Sequence, residues 1–132
     1  MRIIFAIFLC IVSVFAFAED WARIRKVSIG TIYVDTGSIK REGRLMTALI
    51  LVDFRQPQTD RETQRLFRSA LSNESYDCRG NRAGTTDYTT YSGNMGRGTV
   101  IHRRPVVALD LKAAPPESLA EARLKYVCAY TR

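Results

Sequence analysis

Two cysteines, Cys78 and Cys128, constrain this chain more than any other feature, because the segment that opens the sequence reads as an export leader. Arg2 supplies the charged start, Ile3 to Phe17 the apolar run, and Ala16-Phe17-Ala18 a small-x-small cleavage site. That pattern predicts a cleavable leader over residues 1–18 and a mature chain from Glu19. The apolar run is shorter than the roughly twenty residues that a membrane-spanning helix needs, and Glu19 and Asp20 end it abruptly. Cys10 follows Leu9 where a lipidation site would have a small residue, so it reads as an apolar part of the leader. In an exported chain the two remaining cysteines then read as a disulfide, with only one possible connectivity. A redox pair or a metal half-site would need closer spacing or histidine partners. Closing a loop of this size stabilises a fold by roughly 4 kcal/mol on the chain-entropy model.

Residues 19–132 have the length of a single domain with one modest core. The chain carries a formal charge of +7, and removing Arg2 with the leader leaves +6. Most of the cations are arginine, whose planar fork matches carboxylate and phosphate. An exported arginine-rich surface suits acidic proteins, acidic glycans or lipid headgroups, while the compartment argues against nucleic acid. The plainer account is that the charge keeps a small domain soluble, since acids are interspersed with the bases.

Strand-like runs cover Trp21 to Val27 and Thr31 to Asp35, with a turn at Asp35-Thr36-Gly37-Ser38 and another at Glu42-Gly43. Leu45 to Val52 is apolar at nearly every position, which suits a strand covered on both faces near the centre of a sheet. Thr59-Asp60-Arg61-Glu62 fits a helix capping box, and Leu66, Phe67, Ala70 and Leu71 follow at helical spacing, which predicts a short helix. Further strands are expected at Tyr76 to Cys78, Thr85 to Tyr91, Thr99 to His102 and Val106 to Leu109, separated by Gly- or Pro-containing joints. The short neighbouring runs imply an antiparallel sheet.

The period changes after Pro115 and Pro116. Glu117, and the Glu121/Lys125 pair, predict a helix over 116–130 with Ala120, Leu124, Val127 and Cys128 on one face. Packed on a sheet, that face lets Cys128 reach Cys78 and fasten the helix down. The architecture is α+β.

Taken together, Tyr76-Asp77-Cys78, the stretch Tyr91-Ser92-Gly93-Asn94-Met95-Gly96-Arg97-Gly98 with Val100 after it, and Pro116-Glu117-Ser118 leading to Cys128 resemble the surface-adhesin protein E family. Trp21, Tyr33-Val34-Asp35 and Ser38-Ile39 fit as well. The resemblance implies a bent antiparallel sheet with a C-terminal α-helix tied to its concave face by a disulfide. It implies a non-enzymatic binding domain without cofactor or metal, whose named relatives bind host matrix and plasma proteins at the surface of Gram-negative bacteria. No ligand-contact residue carries over from it. The chain departs from the pattern in lacking a usable lipidation motif, and near Leu109 in lacking an aromatic expected before the last helix.

The expected protein is therefore an exported binding domain, periplasmic or on the outer-membrane surface. Its partner is expected to be a host matrix protein or an envelope protein, with an acidic glycan or lipid headgroup as another ligand class. The alternative is a soluble periplasmic accessory or inhibitor protein of the envelope. Met95-Gly96-Arg97-Gly98 lacks the Walker lysine and a following helix, so it reads as a hairpin turn rather than a phosphate cradle. His102 is the only histidine, and nothing in the sequence places a nucleophile beside it. Arg97, Arg103 and Arg104 form either a cationic grip for an acidic partner or a solvated loop. Tyr33, Tyr88 and Tyr91 form either an aromatic contact surface or cover for a sheet face.

Overall fold

The computed structural model describes residues 20–130, so the expected leader, its cleavage site and Cys10 lie outside the described residues. The chain runs through β1 (Trp21–Val27), β2 (Gly30–Asp35), β3 (Lys40–Glu42), β4 (Leu45–Thr59), β5 (Leu66–Asp77), β6 (Arg82–Tyr91), β7 (Val100–Arg104) and β8 (Lys112–Ala113) to α1 (Leu119–Ala129). All the strand pairings are antiparallel. The strands lie in the order β1-β2-β4-β5-β6-β7, with β3 added to β4 and β8 added to β6. Register shifts interrupt the ladders in β1, in β4 between Asp53 and Gln58, in β5 and in β6. Such bulges bend a strand and increase its twist.

The apolar run that opens β4 lies at the centre of the sheet, as its composition requires. Met46, Ala48, Ile50 and Val52 alternate onto the face that α1 covers, where they join Ile32, Val34 and Tyr76 from neighbouring strands. Leu124 and Val127 of α1 complete this core, and Val34 and Val127 are fully buried. Leu51 points to the opposite face, yet it too is fully buried. Its cover is the loop from Ser92 to Thr99, which folds back over β4 and β5. There the Asp53 carboxylate accepts the Met95 N–H at 2.7 Å, and the Ser69 hydroxyl accepts the Gly96 N–H at 2.9 Å while donating to the Gly93 carbonyl at 2.6 Å. Met95 and Gly96 take left-handed backbone angles of 56° and 70° to make this turn.

The helix begins later than the sequence predicts. Ser118 caps it by accepting the Glu121 N–H at 3.1 Å, and Pro115, Pro116 and Glu117 precede the first turn rather than forming it. Glu117 has a left-handed φ of 62°, which turns the chain into the cap. The acidic group at the helix start is therefore Glu121, which pairs with Lys125 at 3.0 Å. Three contacts hold α1 to the sheet besides its apolar face. Cys128 is bonded to Cys78 across a Cα separation of 5.9 Å. Arg123 Nε donates to the buried Glu74 carboxylate at 3.0 Å, and the Tyr76 hydroxyl donates to the same carboxylate. Burial, with the adjacent Glu74 charge, pushes the Tyr76 phenol above its ordinary value.

The expected helix from Thr59 through Leu71 does not form. Thr59 pairs with Leu66 and Leu51 pairs with Leu71, so the segment is a β4–β5 hairpin. The capping signal is nevertheless real: Asp60 Oδ1 accepts the Glu62 N–H at 3.0 Å and the Thr63 N–H at 2.8 Å. It caps a single turn, which Gln64 ends with a φ of 59°. Apolar residues at 67 and 71 fit a helical and an alternating period alike, and the long partner strand decides between them. The expected strand from Val106 to Leu109 is also absent. Pro105 removes a ladder donor, and Val107 N–H to the Thr86 carbonyl at 3.1 Å is the backbone bond that holds this exposed stretch against β6.

Gly30 packs so closely on β4 that an added Cβ would overlap the Asp53 carbonyl oxygen. Gly30→Ala is expected to cost about 2 kcal/mol or more by forcing β2 and β4 apart, read as a lower urea midpoint; an unchanged midpoint would contradict the packing. The Asp60 carboxyl is held below the ordinary carboxylate value chiefly by the Thr63 backbone N–H, with the Thr63 hydroxyl, the Glu62 N–H and the His102 ring adding to it against burial. Its folded value is lowered, so its contribution is present above the unfolded value and disappears as pH falls through the lower folded one. Asp60→Asn should therefore flatten the loss of melting temperature between about pH 5 and pH 2, whereas parallel curves for parent and variant would show that the turn carries no linkage.

Candidate functional site

The charged residues singled out from the sequence are divided by the pleat of the sheet. Arg103 pairs with Thr89 and Arg104 with Tyr88, so these consecutive residues of β7 point to opposite faces. Arg104 lies 5.8 Å from the Tyr88 ring centre, a cation–π arrangement. Arg97 stands in the loop that covers Leu51, on the face that Arg103 shares. A grip by all three arginines on one small group is therefore not built into the sheet, although Arg97 and Arg103 share an exposed side. The tyrosines are divided in the same way: Tyr33, opposite Leu51, and Tyr91, opposite Ser69, share one face, and Tyr88 lies on the other.

The hairpin reading of Met95-Gly96-Arg97-Gly98 is correct, since the segment joins β6 to β7. The backbone donors that would cradle a phosphate are engaged by Asp53 and Ser69. Gly98, at a φ of 85°, has no room for a Cβ because the Ser92 hydroxyl occupies that space.

His102 is half-buried between the β4–β5 turn and β6. Its Nδ1 lies 3.8 Å from Asp60 and its Nε2 3.5 Å from Glu62, both in that turn. Its ring stacks on Tyr88 at a centroid distance of 5.9 Å. This arrangement ties β7 to the turn by charge when the ring is protonated. Among the described residues no group of three His, Cys, Asp or Glu stands together as a metal-binding cluster.

The densest positive charge lies elsewhere, in residues that sequence reasoning did not single out. Arg41, Arg44, Arg79 and Arg82 line one cleft beside Cys78. They come from two hairpin turns that are far apart in the chain. The β4–β5 register sets Met46 opposite Tyr76, which brings the β3–β4 turn beside the β5–β6 turn at one end of the sheet. The local signal was legible as two turns of similar make-up, Gly43-Arg44 and Arg79-Gly80, but their juxtaposition depends on strand register.

The comparisons with known proteins agree on the fold. The crystal structure of protein E from non-typeable Haemophilus influenzae matches with a TM-score of 0.61 at 17% identity, covering 81% of this chain and 75% of that one. A second Haemophilus influenzae protein E structure matches with a TM-score of 0.63 at 17% identity, covering 81% and 83%. At that identity the likeness concerns the fold. No curated protein sequence matches the chain. The family model for surface-adhesin protein E matches residues 21–129, nearly the whole described domain, and this chain belongs to that family.

Proposed function

We propose that this protein is an exported, non-enzymatic binding domain that works at the outer surface of a Gram-negative cell and attaches to a host matrix or plasma protein. The observation that carries the reading is the family match over residues 21–129. The structure supports it in kind. Arg103 and Arg104 are exposed on β7, beside a loop plug and a helix whose bonds hold the fold. Rigid elements that display turns and edge residues suit recognition by surface rather than by a deep pocket. Arg97 and Arg103 on one face, and Arg104 with Tyr88 on the other, are the contact residues assigned to this role, Arg and Tyr being well suited to interface anchoring.

Protease shaving of intact cells tests the reading. Loss of the mature chain from intact cells, together with its capture on immobilised matrix or plasma proteins, is the expected result. Survival of the chain until the outer membrane is permeabilised would contradict surface display and leave a periplasmic accessory role in its place.

A further inference from the structure

The arginine-lined cleft at the end of the sheet has a volume of about 580 Å³, within the range of small-molecule sites. Its lining carries four arginines and a single carboxylate, that of Asp77. Asp77 accepts from Arg82 Nη2 at 2.9 Å and from the Gly80 N–H at 3.0 Å, so it orients one arginine and shapes the turn. Among the described residues Arg41 has no carboxylate within ion-pair distance, because Glu42 beside it pairs with Lys40 at 3.0 Å on the other side of the strand. Arg44 and Arg79 likewise have no ion-pair partner among the described residues, and all three side chains are exposed.

Unpaired arginines gathered on rigid turns repel one another, and this repulsion is relieved when a multiply charged anion binds between them. The turns are rigid for identifiable reasons. Gly43-Arg44 closes a two-residue hairpin between Glu42 and Leu45, and Cys78 anchors the other turn to α1. The lining offers one sizeable apolar side chain, Leu45, and no aromatic ring. A nucleobase or acyl chain therefore has nothing to stack on or enter, whereas the oxyanions of a sugar chain meet planar forks on both walls. The cleft along β6 is different, since Arg104 and Lys112 there are offset by Asp87 and Asp110.

We infer that this cleft is a binding site for a sulfated oligosaccharide, held by Arg41, Arg44 and Arg79 with Arg82 pre-oriented by Asp77. The site extends the reading of an exported binding domain. It fails separately from that reading, because the chain can bind a protein through its outer strand β7 without binding glycan here.

The test is calorimetric titration of the disulfide-intact mature chain with a size-defined, sulfated heparin oligosaccharide. Replacing Arg41, Arg44 and Arg79 together by alanine is expected to weaken binding about tenfold or more, with a melting temperature no lower than the parent's, because none of the three side chains has an ion-pair partner to lose among the described residues. Arg44→Glu alone, a change in an exposed turn, should weaken it in the same direction. Chemical desulfation of the oligosaccharide should abolish the heat, and Arg61→Ala with Arg65→Ala, exposed residues of the β4–β5 turn at the other end of the sheet, should leave it unchanged. Undiminished binding by the triple variant, or binding to anionic phosphatidylglycerol vesicles but not to the oligosaccharide, would overturn the assignment.

Discussion

The fold depends on the attachment of α1 to one face of the sheet. A single antiparallel sheet exposes two faces, and a helix of eleven residues has little stability of its own in water. Each therefore needs the other. Val34, Ile50 and Tyr76 are buried because Leu124 and Val127 lie over them, and the helix persists because that contact, the Arg123–Glu74 bond and the disulfide hold it there. The Glu74 carboxylate is the polar centre of this contact. It is nearly inaccessible, at 7% exposure, and it accepts from both Tyr76 and Arg123, so removing either partner would leave a buried charge short of a donor.

The other face is closed by a different device. There the loop between β6 and β7 folds back over Leu51, held by Asp53 and Ser69 rather than by an apolar side. The Met-Gly-Arg-Gly motif, which carries much of the family resemblance, thus has a structural role. Its left-handed backbone lets successive N–H groups reach a carboxylate and a hydroxyl on neighbouring strands. With one face under the helix and the other partly plugged, the surfaces left for recognition are the turns at the sheet ends and the outer strands. The two arginine-bearing hairpin turns beside the disulfide are the most concentrated of these.

What could be read in the sequence was what depends on local pattern or on counting. The central strand is marked by its unbroken apolar run, the last helix by its period, and the disulfide by the two cysteines that remain once the expected leader is set aside. What failed depended on partners distant in the chain. Thr59 to Leu71 carries both a cap and a spacing compatible with either period, and only the presence of β4 alongside makes it a strand. Arg103 and Arg104 look like a pair because they are adjacent, yet adjacency in a strand sends them to opposite faces. Conversely Arg41 and Arg79 look unrelated, and strand register makes them neighbours.

The Cys78–Cys128 bond clamps α1 to the sheet, and amide hydrogen exchange before and after reduction measures that clamp directly. Reduction is expected to raise exchange in residues 119–129 and in the turn at 78–81 while the paired amides of β4 and β5 keep their protection. Unchanged protection of α1 after reduction would contradict the clamp and leave apolar packing alone as the force that seats the helix.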